Sequence, residues 1–219
     1  MLFLSPRGSV FLLQILTIYY DFRRVNIQKT IFSTLNLTTY MRKLKNEELN
    51  RLTTDEFKSK TKIPVILILD NIRSMNNVGS AFRTSDAFLV EAIYLTGITA
   101  QPPHRDINKT ALGATDTVDW QYFNTTQEAV DDAKAKGFTI AAIEQADNST
   151  YLNKFEPKHE AKYAFVFGNE AFGVEAEIVK QADICLEIPQ YGTKHSLNIS
   201  VSIGVILWDY KSKTSFNPN

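Results

Sequence analysis

The sequence predicts an α/β fold, with a mostly parallel central sheet and helices on both faces. Three observations predict it. Short, continuous apolar runs such as Val65–Leu69, Phe138–Ile143 and Tyr163–Phe167 have the composition of parallel strands covered on both sides. The segments between them carry helical spacing or helix-start signals, so strands and helices alternate. Three strands run into polar, glycine-bearing loops at 77–83, 168–173 and 190–198. In an open parallel sheet the strands' carboxyl ends are where ligands bind.

The elements follow in order. Asn46 before Glu47 and Glu48, and Thr54 before Asp55 and Glu56, predict two short capped helices between 46 and 60. Pro64 marks the entrance to the first strand. Asn77 reads as the cap of the next helix, with Gly79 allowing a close approach at its start and Ala81, Phe82, Ser85 and Phe88 on one face. Glu91–Thr96 is the second strand. A polar loop with Pro102, Pro103, His104 and Arg105 follows, then a short helix over 108–115. Val118–Phe123 alternates as a strand, with Trp120 and Tyr122 as packing residues. Thr126 caps a helix that Gly137 ends, and Phe138–Ile143 is the next strand. Residues 148–160 are loop-rich, Tyr163–Phe167 is a buried strand, and a helix covers 175–181. Ile184–Ile188 is the last strand, stopped by Pro189. Ser196, Leu197 and Asn198 then open a helix whose apolar positions Ile199, Ile203, Ile206, Leu207 and Tyr210 recur at helical spacing.

Of the 219 residues, 44% are hydrophobic and 22% charged, enough for a full core. The expected organisation is an accessory extension or upstream segment at 1–40, a short helical segment at 41–62, the main domain at 63–212 and a tail at 213–219. The run Val10–Tyr20 is too short to span a membrane and lacks a small-x-small cleavage site, which favours an extension, or a start at Met41, over export. Formal charge is zero, so nucleic acid binding requires a local basic face. The lone Cys185 excludes an intramolecular disulfide, reads as a packed apolar residue and fits a cytoplasmic location. No His/Cys/carboxylate grouping predicts a metal site, and neither G-x-G-x-x-G nor G-x-x-x-x-G-K-[ST] occurs. His195 and Ser196 are adjacent, which suits a direct base-to-nucleophile contact poorly.

Parallel strands bring the three loops to one edge. Together they offer a cation (Arg83), an acid (Glu170), an amide and hydroxyls (Asn198, Ser196), and backbone groups near Gly168, Gly173 and Gly192. Asn77, Gly79, Arg83 and Thr84 match Asn-x-Gly-x-x-x-Arg-Thr. Gly168, Glu170 and Gly173 after the apolar Phe165–Phe167 match Gly-x-Glu-x-x-Gly. Ile188, Pro189, Gly192, Ser196, Leu197, Asn198 and Ser200 match Ile-Pro, a glycine and Ser-Leu-Asn-x-Ser. In these motifs, in this order, the sequence resembles the SpoU/TrmH-type RNA 2′-O-ribose methyltransferases of the SPOUT superfamily, from Met41 to Lys211.

The resemblance implies a deep C-terminal trefoil knot, a homodimer through the knot region and an RNA substrate, tRNA or rRNA. It implies S-adenosylmethionine as cofactor, held near Phe167, Gly168, Asn169, Glu170, Ile188, Gln190, Gly192, Ser196 and Leu197. It implies catalytic roles for Arg83, Asn198, Ser196 and Glu170, with Glu170 equally suited to bonding loop amides. RNA contacts fall to Asn77, Arg83, Arg105 and Lys109, the last two beside His104. Two alternatives stay open: a catalytically inactive knotted protein that binds RNA or cofactor, and a flavodoxin-like nucleotide or flavin protein.

Overall fold

The computed structural model describes residues 41–214. The expectations for residues 1–40, and for the tail beyond Thr214, lie outside the described residues. Residues 41–51 belong to one unit and the chain from Leu52 onward to another. In the first, a 3-10 turn at Asn46–Leu49 is closed by Arg42, whose guanidinium pairs with Glu48 at 2.6 Å. No helix of the described residues is long and apolar enough to cross a membrane.

The second unit alternates helices and strands as predicted. Its helices are α1 (Thr54–Ser59), α2 (Met75–Phe88), α3 (Arg105–Ala111), α4 (Thr126–Ala135), α5 (Ala176–Gln181) and α6 (Ile199–Lys213). Its strands are β1 (Ile63–Asp70), β2 (Val90–Thr96), β3 (Trp120–Phe123), β4 (Phe138–Ile143), β5 (Thr150–Tyr151), β6 (Lys162–Phe167) and β7 (Ile184–Glu187). They form one seven-stranded sheet in the order β3-β2-β1-β6-β4-β7-β5, and every pairing is parallel.

Strand alternation divides the core in two. Val65, Leu67 and Leu69 of β1 join Phe57 of α1, Phe82 of α2, Ile107 of α3 and Leu207 of α6 on one face. Ile66 and Ile68 point the other way, to Val130 of α4 and Ile178 of α5. Because Phe57 is buried in the first cluster, the packed unit reaches further towards the N-terminus than Ile63. The five apolar positions read in the last helix are the buried ones of α6. Trp120 and Tyr122 pack against the core as expected, and the Tyr122 hydroxyl donates to Gly97 O at 2.8 Å. Cys185 is half-buried rather than fully buried. Burial and the nearby Glu144 carboxylate push its thiol up.

Several helix starts differ from expectation, and each has a physical reason. In the pairs Thr53-Thr54 and Thr125-Thr126 the first threonine is the cap. It alone has a glutamate three positions on, so Thr53 pairs with Glu56 and Thr125 accepts from Glu128 N. In the 3-10 turn Lys45, not Asn46, holds the cap position, and its N–H donates to the Glu48 carboxylate at 2.8 Å. Helix α2 starts two residues before Asn77, with Ser74 as its cap. Helix α3 starts at Arg105, not near Asn108. The His104 ring accepts from Asp106 N at 3.1 Å, so its Nδ1 caps a helix. Gly79 does allow a close approach, but of one helix to another. A Cβ there would overlap Thr110 Oγ1 and Ile107 O of α3.

Candidate active site

The loops after β1, β6 and β7 meet at the carboxyl edge of the sheet. The loop after β1 brings Asn71–Ser74 into α2, and the first N–H groups of any helix lack partners within it. Glu170, in the loop after β6, reaches the N–H of the cap residue Ser74 and that of Arg73 just before it. It accepts from Arg73 N at 3.0 Å, Ser74 N at 3.0 Å and Asn77 Nδ2 at 2.9 Å. The carbonyl oxygen of the Asn77 side chain accepts from Asn198 Nδ2 at 3.2 Å. Asn198, in the loop after β7, caps α6, its Oδ1 accepting from Ser200 N at 2.8 Å and Ser200 Oγ at 2.5 Å. One hydrogen-bonded chain, Glu170–Asn77–Asn198–Ser200, thus joins all three loops.

Glu170 is ionised in this setting. Partial burial opposes its charge, but the bonds from Arg73, Asn77 and Ser74 outweigh it and hold the carboxyl below the usual glutamate range. Three donors already occupy the carboxylate, which suits it to shaping α2 more than to carrying protons.

The loop after β6 is rigid by construction. Asn169 and Gly173 exchange backbone bonds of 2.9 and 2.8 Å, and Asn169 Oδ1 accepts from Ala171 N at 2.8 Å. Asn169 Nδ2 donates to Asn71 O at 2.6 Å. A Cβ on Gly168 would overlap the Gly173 backbone, and Gly173 has φ +72° with the Glu144 carboxylate against it. Both motif glycines therefore answer to the loop's own packing.

Beneath the loops lies a polar cluster that sequence reasoning missed. Asp70, fully buried, accepts from Thr126 Oγ1 at 2.6 Å, Asn71 Nδ2 at 2.9 Å and Glu175 N at 2.9 Å. Thr96 Oγ1 lies 2.7 Å from Thr126 Oγ1. Asn71, at φ +55°, also donates to Glu175 and accepts from Ile98 N at 3.1 Å. Burial, then the Asp70 charge, push the Glu175 carboxyl up, opposed by the Asn71 bond. The only signal was Asp70 closing an apolar strand, which looks like any strand end.

The loop after β7 is different. Ile188 and Gln190 are half-buried, and residues 191–198 are exposed. Gln145 Nε2 tethers it at His195 O, at 2.8 Å. Between Gln190 and Leu197 no N–H has a protein partner among the described residues. Gly192 has no positive φ, and a Cβ there would meet nothing. Its glycine is not a demand of the fold.

The profile of the SpoU rRNA Methylase family matches residues 64–208, most of the chain. The chain belongs to the SpoU rRNA Methylase family. It is 29% identical over 153 residues to the 23S rRNA (guanosine-2′-O-)-methyltransferase RlmB of Neisseria meningitidis serogroup B, covering 70% of this chain and 60% of RlmB. This chain therefore spans less than two thirds of that relative. The structure of the A. aeolicus TrmH/SpoU tRNA modifying enzyme aligns with a TM-score of 0.62 at 27% identity, over 72% of this chain and 78% of that one. The AdoMet-bound rRNA methyltransferase from Sinorhizobium meliloti shares the fold with a TM-score of 0.64 at 24% identity, over 74% and 61% of the two chains. Membership in this family rules out the flavodoxin-like reading.

Within the family motifs, Glu170, Asn77 and Asn198 are in contact and Phe167 is buried at the end of β6. Ser196 and Leu197 are exposed in the loop just before Asn198. Arg83 is not in the hydrogen-bonded chain. It lies further along α2, exposed, with no hydrogen bond or ion pair to its guanidinium among the described residues. Arg105 and Lys109 are exposed on α3, one turn apart. The site thus combines a rigid polar junction, an open loop and a guanidinium without a partner among the described residues. It lacks a paired nucleophile and base, and what it can do chemically is align and polarise.

Proposed function

We propose that this chain is an S-adenosylmethionine-dependent RNA methyltransferase that methylates a ribose 2′-hydroxyl of tRNA or rRNA. The observation that carries the reading is the Glu170–Asn77–Asn198 chain, which fixes three motif loops together and leaves Arg83 unpaired on the helix they anchor.

The residues fit the cofactor. The unpartnered N–H groups of 190–197 and the open space at Gly192 make a backbone cradle, with Ile188 and Leu197 as apolar walls. Phe167, Gly168, Asn169 and Glu170 form the opposite wall, held by the Asn169–Gly173 bridge. Bound there, S-adenosylmethionine supplies a methyl group already activated on a sulfonium.

The protein's task is then alignment. Asn198 and Ser196 orient the ribose. Arg83 stabilises negative charge as the 2′-oxygen forms its bond and its proton passes to solvent water, and it holds a neighbouring phosphate. A guanidinium, cationic throughout the working range, does not serve as the base. Glu170 acts as a positioning residue through Asn77.

The threaded knot and the homodimer belong to the same reading. Val201 and Trp208, exposed by 51% and 67%, form an apolar surface on α6 suited to a second copy. The domain runs over 63–212, extended by α1, and the enzyme works in the cytoplasm.

The test is transfer of labelled methyl from S-adenosylmethionine to RNA, followed by nucleoside mass spectrometry. Ribose 2′-O-methylation is the expected product. Arg83→Ala lowers kcat by roughly 10²–10³, the usual cost of losing one charge-stabilising donor, and leaves cofactor affinity within about two-fold. A fully active Arg83→Ala enzyme overturns the role of Arg83. Cofactor or RNA binding with no transfer to any RNA supports the inactive-protein alternative instead.

A further inference from the structure

Outside the junction, the described residues form a cleft that none of the roles above uses. Its volume is about 380 Å³, and it lies between α3, the turn at 113–116 and the first residue of β3. Its apolar lining is the Trp120 ring with Pro102 and Pro103, and its polar lining includes Asn108 and Asp116. We propose that this cleft takes an unpaired nucleobase of the RNA substrate, stacked on Trp120, while Arg105 and Lys109 hold the adjoining phosphates.

The proposal rests on the RNA methyltransferase reading and adds a binding site to it. The chemistry of the walls carries it. An indole face and proline rings offer stacking, which every base accepts. The Asn108 amide both donates and accepts, and the Asp116 carboxylate accepts from base N–H groups, so the edge of a base is matched as well as its face. A cleft of this size lies within the range of small-ligand pockets.

Charge supports the same occupant. Arg105 and Lys109 are exposed at i and i+4 on α3, on either side of Asn108 in sequence. The α3 face therefore offers two cations beside a base-sized cleft. Asp116 and Asp119 would repel a phosphate path along the 113–119 turn, although Lys62 interacts with Asp119 and Asp86. The backbone of the RNA therefore runs over α3. Helix α3 in turn packs on α2 at Gly79, with Thr110 Oγ1 donating to Asn76 O at 3.0 Å, so the cleft is tied to the helix that carries Arg83.

The two tryptophans are Trp120 and Trp208, so Trp208→Phe leaves Trp120 as the sole indole reporter. The full chain is titrated with a short, unstructured oligoribonucleotide and with an abasic oligomer of equal length, following Trp120 emission and anisotropy of labelled oligomer. Quenching by the base-bearing oligomer alone, and about ten-fold weaker binding by the surface double variant Asn108→Ala/Asp116→Ala, are expected. Equal binding of both oligomers without quenching overturns the base cleft and leaves only a basic face. Methyl transfer to folded RNA without oligomer binding also overturns it, while the enzymatic reading stands. Loss of both binding and transfer overturns the two together.

Discussion

Replacing Glu170 separates an architectural role from a chemical one. The carboxylate accepts three hydrogen bonds: Ser74 N and Asn77 Nδ2 converge on Oε1, and Arg73 N bonds Oε2. Bonds to a charged acceptor contribute roughly 1.5–3 kcal/mol each when dry. Glu170 is solvent-exposed, so water replaces much of this, and the net cost of Glu170→Ala is about 1–3 kcal/mol. Glu170→Gln keeps an oxygen for Ser74 and Asn77 but sets an NH2 against the Arg73 N–H, so it loses about 1 kcal/mol. The sign of the pH dependence follows from the depressed pKa. The carboxylate's contribution is present above the ordinary glutamate value of 4.5 and is lost as pH falls through the lower folded-state value. Wild-type stability should therefore drop in that acid window, and Glu170→Gln should lack that part of the drop. Urea unfolding across pH measures it, alongside kcat and cofactor affinity. Activity should track the geometry, with Gln retaining most of it and Ala losing roughly ten-fold. A Glu170→Gln enzyme that is fully stable, binds cofactor normally and is inactive would refute the architectural role.

Two further outcomes follow from the packing. Gly79→Ala forces a Cβ onto Thr110 and Ile107 O, and overpacking of this kind costs about 1–3 kcal/mol, read as a lower thermal midpoint with α2 and α3 displaced. Val201→Lys with Trp208→Lys puts charge on the exposed surface of the proposed homodimer, so folding should persist while sedimentation shifts from the proposed dimer to monomer.

The legibility of this chain divides along the range of the interactions. Strand β4 matches Phe138–Ile143 end to end, because burial on both faces leaves a local apolar run. The buried stripe of α6 was likewise visible in its spacing. The start of α2 was not. Asn77 has the composition of a cap, but Ser74 takes that position, and the N–H groups of Arg73 and Ser74 are satisfied by a glutamate nearly a hundred residues away. No window of sequence contains that bond. The Asp70–Thr126–Thr96 cluster was hidden for the same reason, its members lying on three elements that meet only in the folded sheet. The motif residues are legible as a set, whereas the division of labour among them rests on contacts that only the folded chain makes.

That division explains why the usual phosphate signatures are missing. In dinucleotide-binding sheets the N–H groups at the first helix N-terminus face the ligand phosphate, and glycines clear the approach. Here the Glu170 carboxylate sits at the entrance to α2, on the N–H groups of Arg73 and the cap Ser74, with its own negative charge against the positive end of the helix. An anionic ligand would have to displace an ionised, thrice-bonded carboxylate to bind there. In the proposed reading phosphate recognition falls instead to side chains, and Arg83, Arg105 and Lys109 are exposed on α2 and α3. The glycines that remain serve packing at Gly79, Gly168 and Gly173, and the open backbone is at Gly192, in a loop tethered by Gln145. An acid at the helix entrance and a glycine in the last loop thus divide the two ligands. In the proposed arrangement the carboxylate keeps phosphates off the backbone at the α2 entrance, and the amides of 190–197, without a partner among the described residues, are left for the methyl donor.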